Sequence, residues 1–205
     1  MNVKESVRVD TLIKIANLLN DNNGVIRSAD VIHAGISRTT LGTLVKKGKL
    51  ERIAHGQYIR PDHIADELYV LQQRSDKIIF SHETALFLHD MAERTPFQHA
   101  LTVPSNSKLS TVLSEGCKIY YVKPELYGLG KCTVKSKMGH DVLAYDAERT
   151  LCDILRSRSR IDSQIFAEAM KAYAARKGQN WNKLRDYADA FRVTKLLRQY
   201  LEVLV

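Results

Sequence analysis

The first third of the chain alternates between helical and strand periodicity. Residues 9–19 repeat apolar side chains at the spacing of one helical face, which predicts a first helix buried along one side. That face consists of Leu12, Ile15, Ala16 and Leu19. The polar run at 21–24 then ends the helix, because aspartate, asparagine and glycine favour turns.

Two shorter helices follow, and a tight turn joins them. Ser28 is predicted to cap a helix over residues 29–34, and Gly35 ends it. Ser37 is predicted to cap the next helix, residues 38–47. Its buried side consists of Leu41, Leu44 and Val45. Two short helices joined by a turn that contains glycine are typical of a helix-turn-helix.

A β-hairpin completes this unit. Residues 50–54 and 57–60 alternate in polarity on either side of His55-Gly56, as the two strands of a hairpin do. Pro61 closes the unit because proline cannot continue the hydrogen-bond ladder of a strand. The order of the elements predicts a winged helix-turn-helix domain over residues 1–64, with the hairpin as its wing.

Residues 65–205 predict a second, mixed α/β domain that ends in helices. Short apolar runs separated by proline and glycine predict strands, and the pattern is helical from Asp146 onward, with breaks near 157–161 and 178–180. The expected elements are helices at 66–74 and at 82–89, the second capped by Ser81, and strands at 77–80, 101–103, 118–122, 132–135 and 141–145. The fold class of the whole chain is therefore α+β.

The charge of the chain points to a polyanionic partner. The formal net charge is +8, and residues 1–62 carry 10 Lys/Arg against 6 Asp/Glu, while residues 151–205 carry 11 against 6. The middle of the chain, residues 63–150, is nearly balanced at 10 against 11. No apolar run reaches the length of a membrane span or resembles a signal peptide, so we expect a cytoplasmic protein.

The second helix of a helix-turn-helix enters the major groove of DNA, where arginine and threonine can read base edges and lysine can neutralise phosphates. We therefore expect double-stranded operator DNA as a partner. The alternatives are a solvated charged face or a winged helix used for protein contacts. The candidate DNA-binding residues are Arg27, Ser37, Arg38, Thr39, Thr40, Thr43, Lys46, Lys47, Arg52, His55 and Gln57.

The sequence contains no motif of a known catalytic site, phosphate loop or metal site, so we expect no enzyme activity, no cofactor and no metal. Cys117, Cys132 and Cys152 lack the short paired spacing of metal ligands and are expected to be reduced. Two alternative functions stay open: a ligand-responsive repressor and a metal-dependent nuclease. The carboxylates of such a nuclease would be Glu83, Asp146, Glu148 and Asp153, although Glu148, Arg149 and Asp153 more economically form a capped, salt-bridged helix start.

Several segments resemble the AbiEi antitoxin family. The sequences ADVIHAGISRTTLGTLVKKG at 29–48 and LERIAHGQYIRP at 50–61 resemble the N-terminal domain of these antitoxins. The sequences SHETAL at 81–86 and AERTLCD at 147–153 resemble two segments of their C-terminal domain. The resemblance therefore covers most of the chain.

This resemblance implies a type IV antitoxin that represses its own operon by binding inverted repeats cooperatively. It also implies that the C-terminal domain counters a nucleotidyltransferase-like AbiEii toxin without requiring a stable complex, and we expect the free protein to be a monomer. The basic C-terminal helices are either a solvated face or a surface for DNA, RNA or the toxin. The candidate antitoxicity residues are Lys123, Lys131, Lys135, Lys137, Glu148 and Arg149.

Overall fold

A computed structural model of the chain describes residues 3–22 and 24–204. These residues divide after Val70 into two compact units, called here the N-terminal unit and the C-terminal unit. The sequence places the domain boundary after residue 64, and that position stays a prediction. Asn23, which belongs to the predicted turn at 21–24, lies outside the described residues.

The N-terminal unit has the element order that the sequence predicts. Its elements are α1 (Val3–Asp21), β1 (Val25–Arg27), α2 (Ser28–His33), α3 (Arg38–Lys46), β2 (Glu51–Ala54) and β3 (Gln57–Ile59), and α4 (Glu67–Gln72) crosses the division. The three strands form an antiparallel sheet in the order β1-β3-β2, with Ile59 opposite both Val25 and Glu51. Strands β2 and β3 are the predicted hairpin and are called the wing.

A small apolar core holds α1, α2 and α3 against this sheet. On α3 the predicted inward side is confirmed for Leu41 and Leu44, while Val45 is only half-buried. On α1 the core takes in Ile15 and Leu19, but Leu12 is 40% exposed, contrary to the predicted face. The reason is that α1 continues toward its N-terminus beyond the elements that cover its second half. The buried core residues of this unit are Ile15, Leu19, Ile26, Val31, Ile36, Leu41, Leu44 and Leu50.

The two short helices begin differently. Ser37 occupies the N-cap position of α3, as predicted, but its hydroxyl makes no capping hydrogen bond to the helix backbone. Ser28 does not cap α2, because the N-cap residue is Arg27 and the cap is closed by a carboxylate. The side chain of Asp30 accepts from the Arg27 backbone N–H at 3.2 Å and from its guanidinium at 2.8 and 3.0 Å. The arginine–aspartate pair thus replaces the serine hydroxyl that the sequence pattern suggested.

The C-terminal unit is built on a mixed five-stranded sheet in the order β6-β5-β4-β8-β7. Strands β4 and β8, and β5 and β6, pair in parallel, whereas β4 and β5, and β7 and β8, pair antiparallel. The elements are β4 (Ile79–Phe80), α5 (His82–Leu88), β5 (His99–Pro104), α6 (Thr111–Ser114), β6 (Cys117–Val122), α7 (Pro124–Tyr127), β7 (Lys131–Lys135), β8 (Asp141–Tyr145), α8 (Ala147–Arg156), α9 (Ser163–Ala175), α10 (Trp181–Ala190) and α11 (Thr194–Leu204). The predicted α+β class is confirmed.

Helix α8 is the centre of this unit. Every residue from 147 to 155 is buried, because α5, α9, α10 and α11 all pack against this helix. Asp146 caps its N-terminus by accepting from the Arg149 backbone N–H at 2.8 Å. A helix buried on all sides must find partners for its polar side chains inside the protein, because water cannot reach them.

Most predicted elements of this unit are present, but three features were missed. The four-residue helices α6 and α7 are too short to show helical periodicity. The break between α10 and α11 also carries no sequence signal, because Arg192 rather than a glycine takes the left-handed backbone there, with φ of 57°.

A pair of glycines tests how tightly the chain packs against α8. Gly130 and Gly139 both have positive φ, 77° and 86°, but a Cβ on Gly130 would lie 2.6 Å from the Cβ of Arg149, whereas nothing lies within 4 Å at Gly139. We expect Gly139→Ala to lower the free energy of unfolding by about 1–2 kcal/mol through backbone strain. Gly130→Ala should lower the free energy of unfolding by about 1–3 kcal/mol more than Gly139→Ala, because the added Cβ overpacks against Arg149. Urea unfolding followed by the fluorescence of Trp181, the single tryptophan, measures both, and equal losses would contradict the steric argument.

Candidate nucleic-acid interface

The exposed side of α3 carries the main cluster of candidate DNA-binding residues. Arg38, Thr39, Thr43, Lys46 and Lys47 are all exposed, on the side opposite Leu41 and Leu44. Arg38, Lys46 and Lys47 form no ion pair with an acidic side chain of the described residues. Three cations that no carboxylate neutralises can therefore meet phosphate groups.

The hydroxyl groups at the start of α3 bind one another. The Ser37 hydroxyl lies 2.7 Å from that of Thr39 and 3.1 Å from that of Thr40, which is half-buried. Thr43 donates to the Thr39 carbonyl at 3.1 Å. These bonds fix the hydroxyls at the N-terminus of the helix, the end that reads bases in a helix-turn-helix.

The wing presents two candidates beside a reverse turn. Arg52 donates to the Ala54 carbonyl at 3.3 Å, and its guanidinium lies 3.3 Å from Nδ1 of His55. Both side chains are exposed. Gly56 takes φ of 70° at this turn, and its carbonyl accepts from the Ser28 backbone N–H at 2.8 Å, which ties the wing to the start of α2.

Two predicted residues occupy positions that change their role. Gln57 is only 3% exposed, and its amide donates to the Val70 carbonyl at 3.1 Å, so we leave it out of the interface. Arg27 is exposed, but Asp30 neutralises its charge, and Arg27 in turn lowers the pKa of the Asp30 carboxyl by hydrogen bonding. The spacing of three between Arg27 and Asp30 was the sequence signal for this pair.

One exposed cation was overlooked in the sequence. Lys49 lies just after α3, is exposed and forms no ion pair with the described acidic side chains. It extends the basic surface beyond Lys47. The sequence signal for Lys49 was the basic run KKGK at 46–49. Gly48 ends the helix, but the basic run continues past it.

The four lysines proposed for antitoxicity lie on the surface of the C-terminal unit. Lys131 and Lys135 are exposed residues of β7, the strand at one edge of the sheet. Lys135 pairs with Asp141 at 2.8 Å, Lys137 pairs with Asp90, and Lys123 lies 4.0 Å from Glu125. These lysines are accessible, but much of their charge is balanced by neighbouring carboxylates.

Arg149, by contrast, is fully buried at 0% exposure. Its guanidinium donates to Asp153 at 3.0 Å and to the carbonyls of Leu126 and Leu129 at 2.8 and 2.7 Å. The rings of Tyr145 and Phe191 each lie 4.0 Å from its central carbon. Burial raises the pKa of the Asp153 carboxyl, while the attraction of Arg149 lowers it. This residue joins α8 to the segment around α7 and is not accessible to a partner.

Glu148 is also buried, at 7% exposure. It accepts from the Tyr173 hydroxyl at 2.8 Å and lies 3.5 Å from the ammonium of Lys183. The same ammonium lies 2.9 Å from Asp146. Glu148 and Arg149 therefore stabilise the core, and we do not retain them as antitoxicity residues.

The carboxylates of the alternative nuclease site are held by cations. Glu83 pairs with Lys118 at 2.9 Å, far along the chain from the Asp146–Glu148–Lys183 group. In the part of the chain that the structure describes, no group of three or more His, Cys, Asp or Glu side chains could hold a metal ion. Among residues 3–22 and 24–204, no helix combines the length and hydropathy that crossing a bilayer requires.

Comparisons with known proteins bear on the first part of the chain and on the fold. Residues 14–61 match the model of a family described as transcriptional regulator, AbiEi antitoxin, which confirms the predicted resemblance of the N-terminal segments. No curated protein matches the chain. The crystal structure of the RV2827C protein from Mycobacterium tuberculosis is similar, with a TM-score of 0.55 over 92% of this chain and 79% of that one. At 13% identity this likeness concerns the fold alone.

The structural role of Arg149 has a measurable consequence. Removing one partner of a buried ion pair leaves an uncompensated charge, so Arg149→Leu should lower the free energy of unfolding by about 3–5 kcal/mol. Lys183→Gln, which breaks a partly exposed pair, should cost about 1 kcal/mol or less. Unfolding in urea, followed by Trp181 fluorescence, compares the two variants.

The pH dependence of Arg149→Leu provides a second check. Without the guanidinium, burial raises the pKa of Asp153 further above its value in the unfolded chain. Such a group destabilises the folded state increasingly as the pH rises toward its folded pKa, so acidification from pH 7 to 5 should restore part of the lost stability. A loss that stays the same over this range would show that Asp153 is not the charge left unpaired.

Proposed function

We propose, from the match of residues 14–61 to the AbiEi antitoxin family of transcriptional regulators, that this chain represses its own operon by binding double-stranded operator DNA. The observation that supports this most directly is the exposed face of α3, where Arg38, Lys46 and Lys47 have no described acidic partner. Cations without such partners keep their full attraction for the phosphates of DNA. The protein would act in the cytoplasm, where its operator lies.

In this proposal the two ends of α3 have different tasks. Arg38, at the N-terminus of the helix beside the serine and threonine hydroxyls, reads base edges in the major groove. Lys46 and Lys47, at the other end, neutralise phosphates, and Arg52 and His55 of the wing reach the neighbouring backbone or minor groove. The free protein is a monomer, and copies bind inverted repeats cooperatively.

The proposal gives the C-terminal unit a second task, which is to counter an AbiEii-type nucleotidyltransferase toxin without a required stable complex. What supports this is the size of the unit and its own core around α8, neither of which a winged helix needs for folding. The accessible candidates for this task are Lys123, Lys131, Lys135 and Lys137.

Titrations of operator and random duplexes at several salt concentrations test the first task. Arg38→Ala should weaken operator binding by about 1–3 kcal/mol and relax specificity, because a base contact is lost. Lys47→Ala should weaken both duplexes equally and lower the salt slope by about one. Lys14→Ala is the matched control, since this lysine of the same unit is already paired with Asp10 at 3.0 Å. Unchanged affinity in both test variants, with intact folding, would remove α3 from the interface.

Charge reversal separates repression from antitoxicity. Lys46→Glu with Lys47→Glu should relieve repression of an operon reporter but leave growth rescue intact when the antitoxin comes from an external promoter. Lys131→Glu with Lys135→Glu should leave repression intact but reduce growth rescue, because β7 belongs to the C-terminal unit. Both variants must be compared at equal protein abundance, since a destabilised variant would lose repression or rescue merely by being degraded. If the α3 variant loses rescue at normal abundance, the chain neutralises the toxin only by silencing its transcription.

A further inference from the structure

The connection between α8 and α9 carries three arginines that no acidic side chain in the described ranges neutralises. These are Arg156, Arg158 and Arg160, and all three are exposed. Arg156 donates to the Tyr121 carbonyl at 3.2 Å. The first carboxylate that follows along the chain, Asp162, accepts from the Gln164 backbone N–H at 2.9 Å instead. The positive charge of this connection is therefore available to an anion.

Arg160 is held in place by an aromatic stack. Its central carbon lies 4.4 Å from the centroid of the Tyr120 ring. The imidazole of His82 stacks on the same ring, with 3.4 Å between centroids and 13° between planes. Since His82 covers one face of Tyr120, Arg160 lies over the other. Stacking orients a guanidinium while leaving the N–H groups at its edge free to donate.

Lys118 is fixed beside this stack. Its ammonium donates to Glu83 at 2.9 Å and to the Arg160 carbonyl at 3.2 Å, and it lies 5.7 Å from the centroid of the Tyr120 ring. A lysine ammonium has three donors, and the third serves the Tyr120 hydroxyl, so Lys118 contributes its positive charge rather than a free hydrogen bond. Lys118 thus presents a positioned positive charge next to Arg160.

Tyr120 contributes a hydroxyl proton that has no acceptor. The residue is 6% exposed. The Lys118 ammonium, which can donate but not accept, interacts with the hydroxyl oxygen, so the proton of the hydroxyl has no acceptor among the described residues. A buried polar group without a partner is costly and therefore uncommon in folded proteins. A ligand that accepts a hydrogen bond would satisfy it.

A chain of hydrogen bonds orients a second hydroxyl. Thr102 donates to the Ser81 hydroxyl at 2.8 Å, Ser81 lies 2.9 Å from Nδ1 of His82, and Nε2 of His82 lies 3.0 Å from the Ser157 hydroxyl. Every donor is used when Ser81 donates to Nδ1 and the Nε2–H donates to Ser157. The Ser157 hydroxyl then has its own proton free to donate.

The state of His82 agrees with this arrangement. Burial and the positive charges of Arg156, Lys118 and Arg160 hold its pKa well below the usual value, so the ring is neutral at pH 7 and can accept at one nitrogen while donating at the other. Its backbone has φ of 48°, a conformation that non-glycine residues adopt rarely. Such strained residues occur most often at functional sites.

We propose that Lys118, Tyr120, Ser157 and Arg160 form a phosphate-binding site for a nucleotide in the C-terminal unit. Tyr120, Ser157 and Arg160 each offer a free donor, Lys118 and Arg160 carry a positive charge, and the carboxylate of Glu83 is already bound to Lys118. An ionised phosphate is the complementary ligand, because its oxygens accept hydrogen bonds and carry negative charge. The inference does not depend on operator binding by α3.

The surface next to Lys118 has room for the rest of the nucleotide. Of the four proposed ligands, Lys118 lines an open cleft of about 1110 Å³ whose wall includes Phe87, Phe97 and Gln164. The charged side chains on this wall are both acidic and basic: Glu83, Asp90, Glu93, Asp162 and Glu168 against Arg94, Lys118 and Lys137. The Phe97 ring is fully exposed, so one face of it is free to stack on a base.

The test is a binding titration of the full chain with two probes, fluorescently labelled ATP and a labelled, 5′-phosphorylated RNA of about ten nucleotides. Arg160→Gln should weaken binding about tenfold or more, because a charge-assisted hydrogen bond and an orienting stack are lost. Tyr120→Phe keeps the ring and should weaken binding about threefold to tenfold, because only the hydroxyl is lost. Arg158→Gln is the matched control, since it removes the same charge two residues away and should change affinity less than about twofold.

The outcomes are distinguishable. If Arg160→Gln and Tyr120→Phe lose affinity for the probes and Arg158→Gln does not, the site is supported. The probe that binds more tightly then tells whether a free nucleotide or an RNA end is the source of the phosphate. Equal losses in the two arginine variants would overturn the proposal in favour of diffuse attraction, and so would the absence of binding with both probes. Operator affinity measured on the same variants should stay unchanged, which separates a failure here from a failure of the DNA interface.

Discussion

The packing of the C-terminal unit depends on the contacts that compensate the buried guanidinium of Arg149. Helix α8 is buried on all sides, and Arg149 is the largest of its fully buried side chains. Burying a charge without compensation would cost more free energy than the unit has to spare. Asp153 supplies the countercharge, Tyr145 and Phe191 lie against the guanidinium, and the carbonyls of Leu126 and Leu129 accept from it. The helix, the sheet end and the segment around α7 are consequently fixed by one side chain.

The charged side chains around α8 and those on α3 differ in whether they are paired. In the C-terminal unit the acidic groups near α8 are bound to cations, as Asp146 and Glu148 are to Lys183. On α3 of the N-terminal unit the cations have no described acidic partner. Pairing lets charges sit inside or against a core, whereas unpaired charges keep their attraction for an external polyanion. The arginines of the α8–α9 connection likewise have no described acidic partner, and it is there that the nucleotide site is proposed.

Much of the fold is visible in the sequence, because periodicity reports which side of an element is buried. The three helices and the wing of the N-terminal unit follow from it, as do β5, β6, β7, β8 and the start of α8. The left-handed break at Arg192 does not, since no glycine marks it. The candidate site is visible only in part. Arg38 and Lys47 are exposed as expected, but alternation alone could not show that the Gln57 amide has a buried partner 13 residues away.

That bond between Gln57 and Val70 has a further consequence. Gln57 begins β3, and Val70 is the last residue of the N-terminal unit. If the backbone at Val70 were pulled out of place, the buried amide would lose its acceptor and face the cost of an unmet hydrogen bond. The wing cannot loosen independently of the point where the chain leaves the unit. The wing and the backbone at Val70 are therefore coupled, and a displacement of the chain at Val70 is transmitted to the wing.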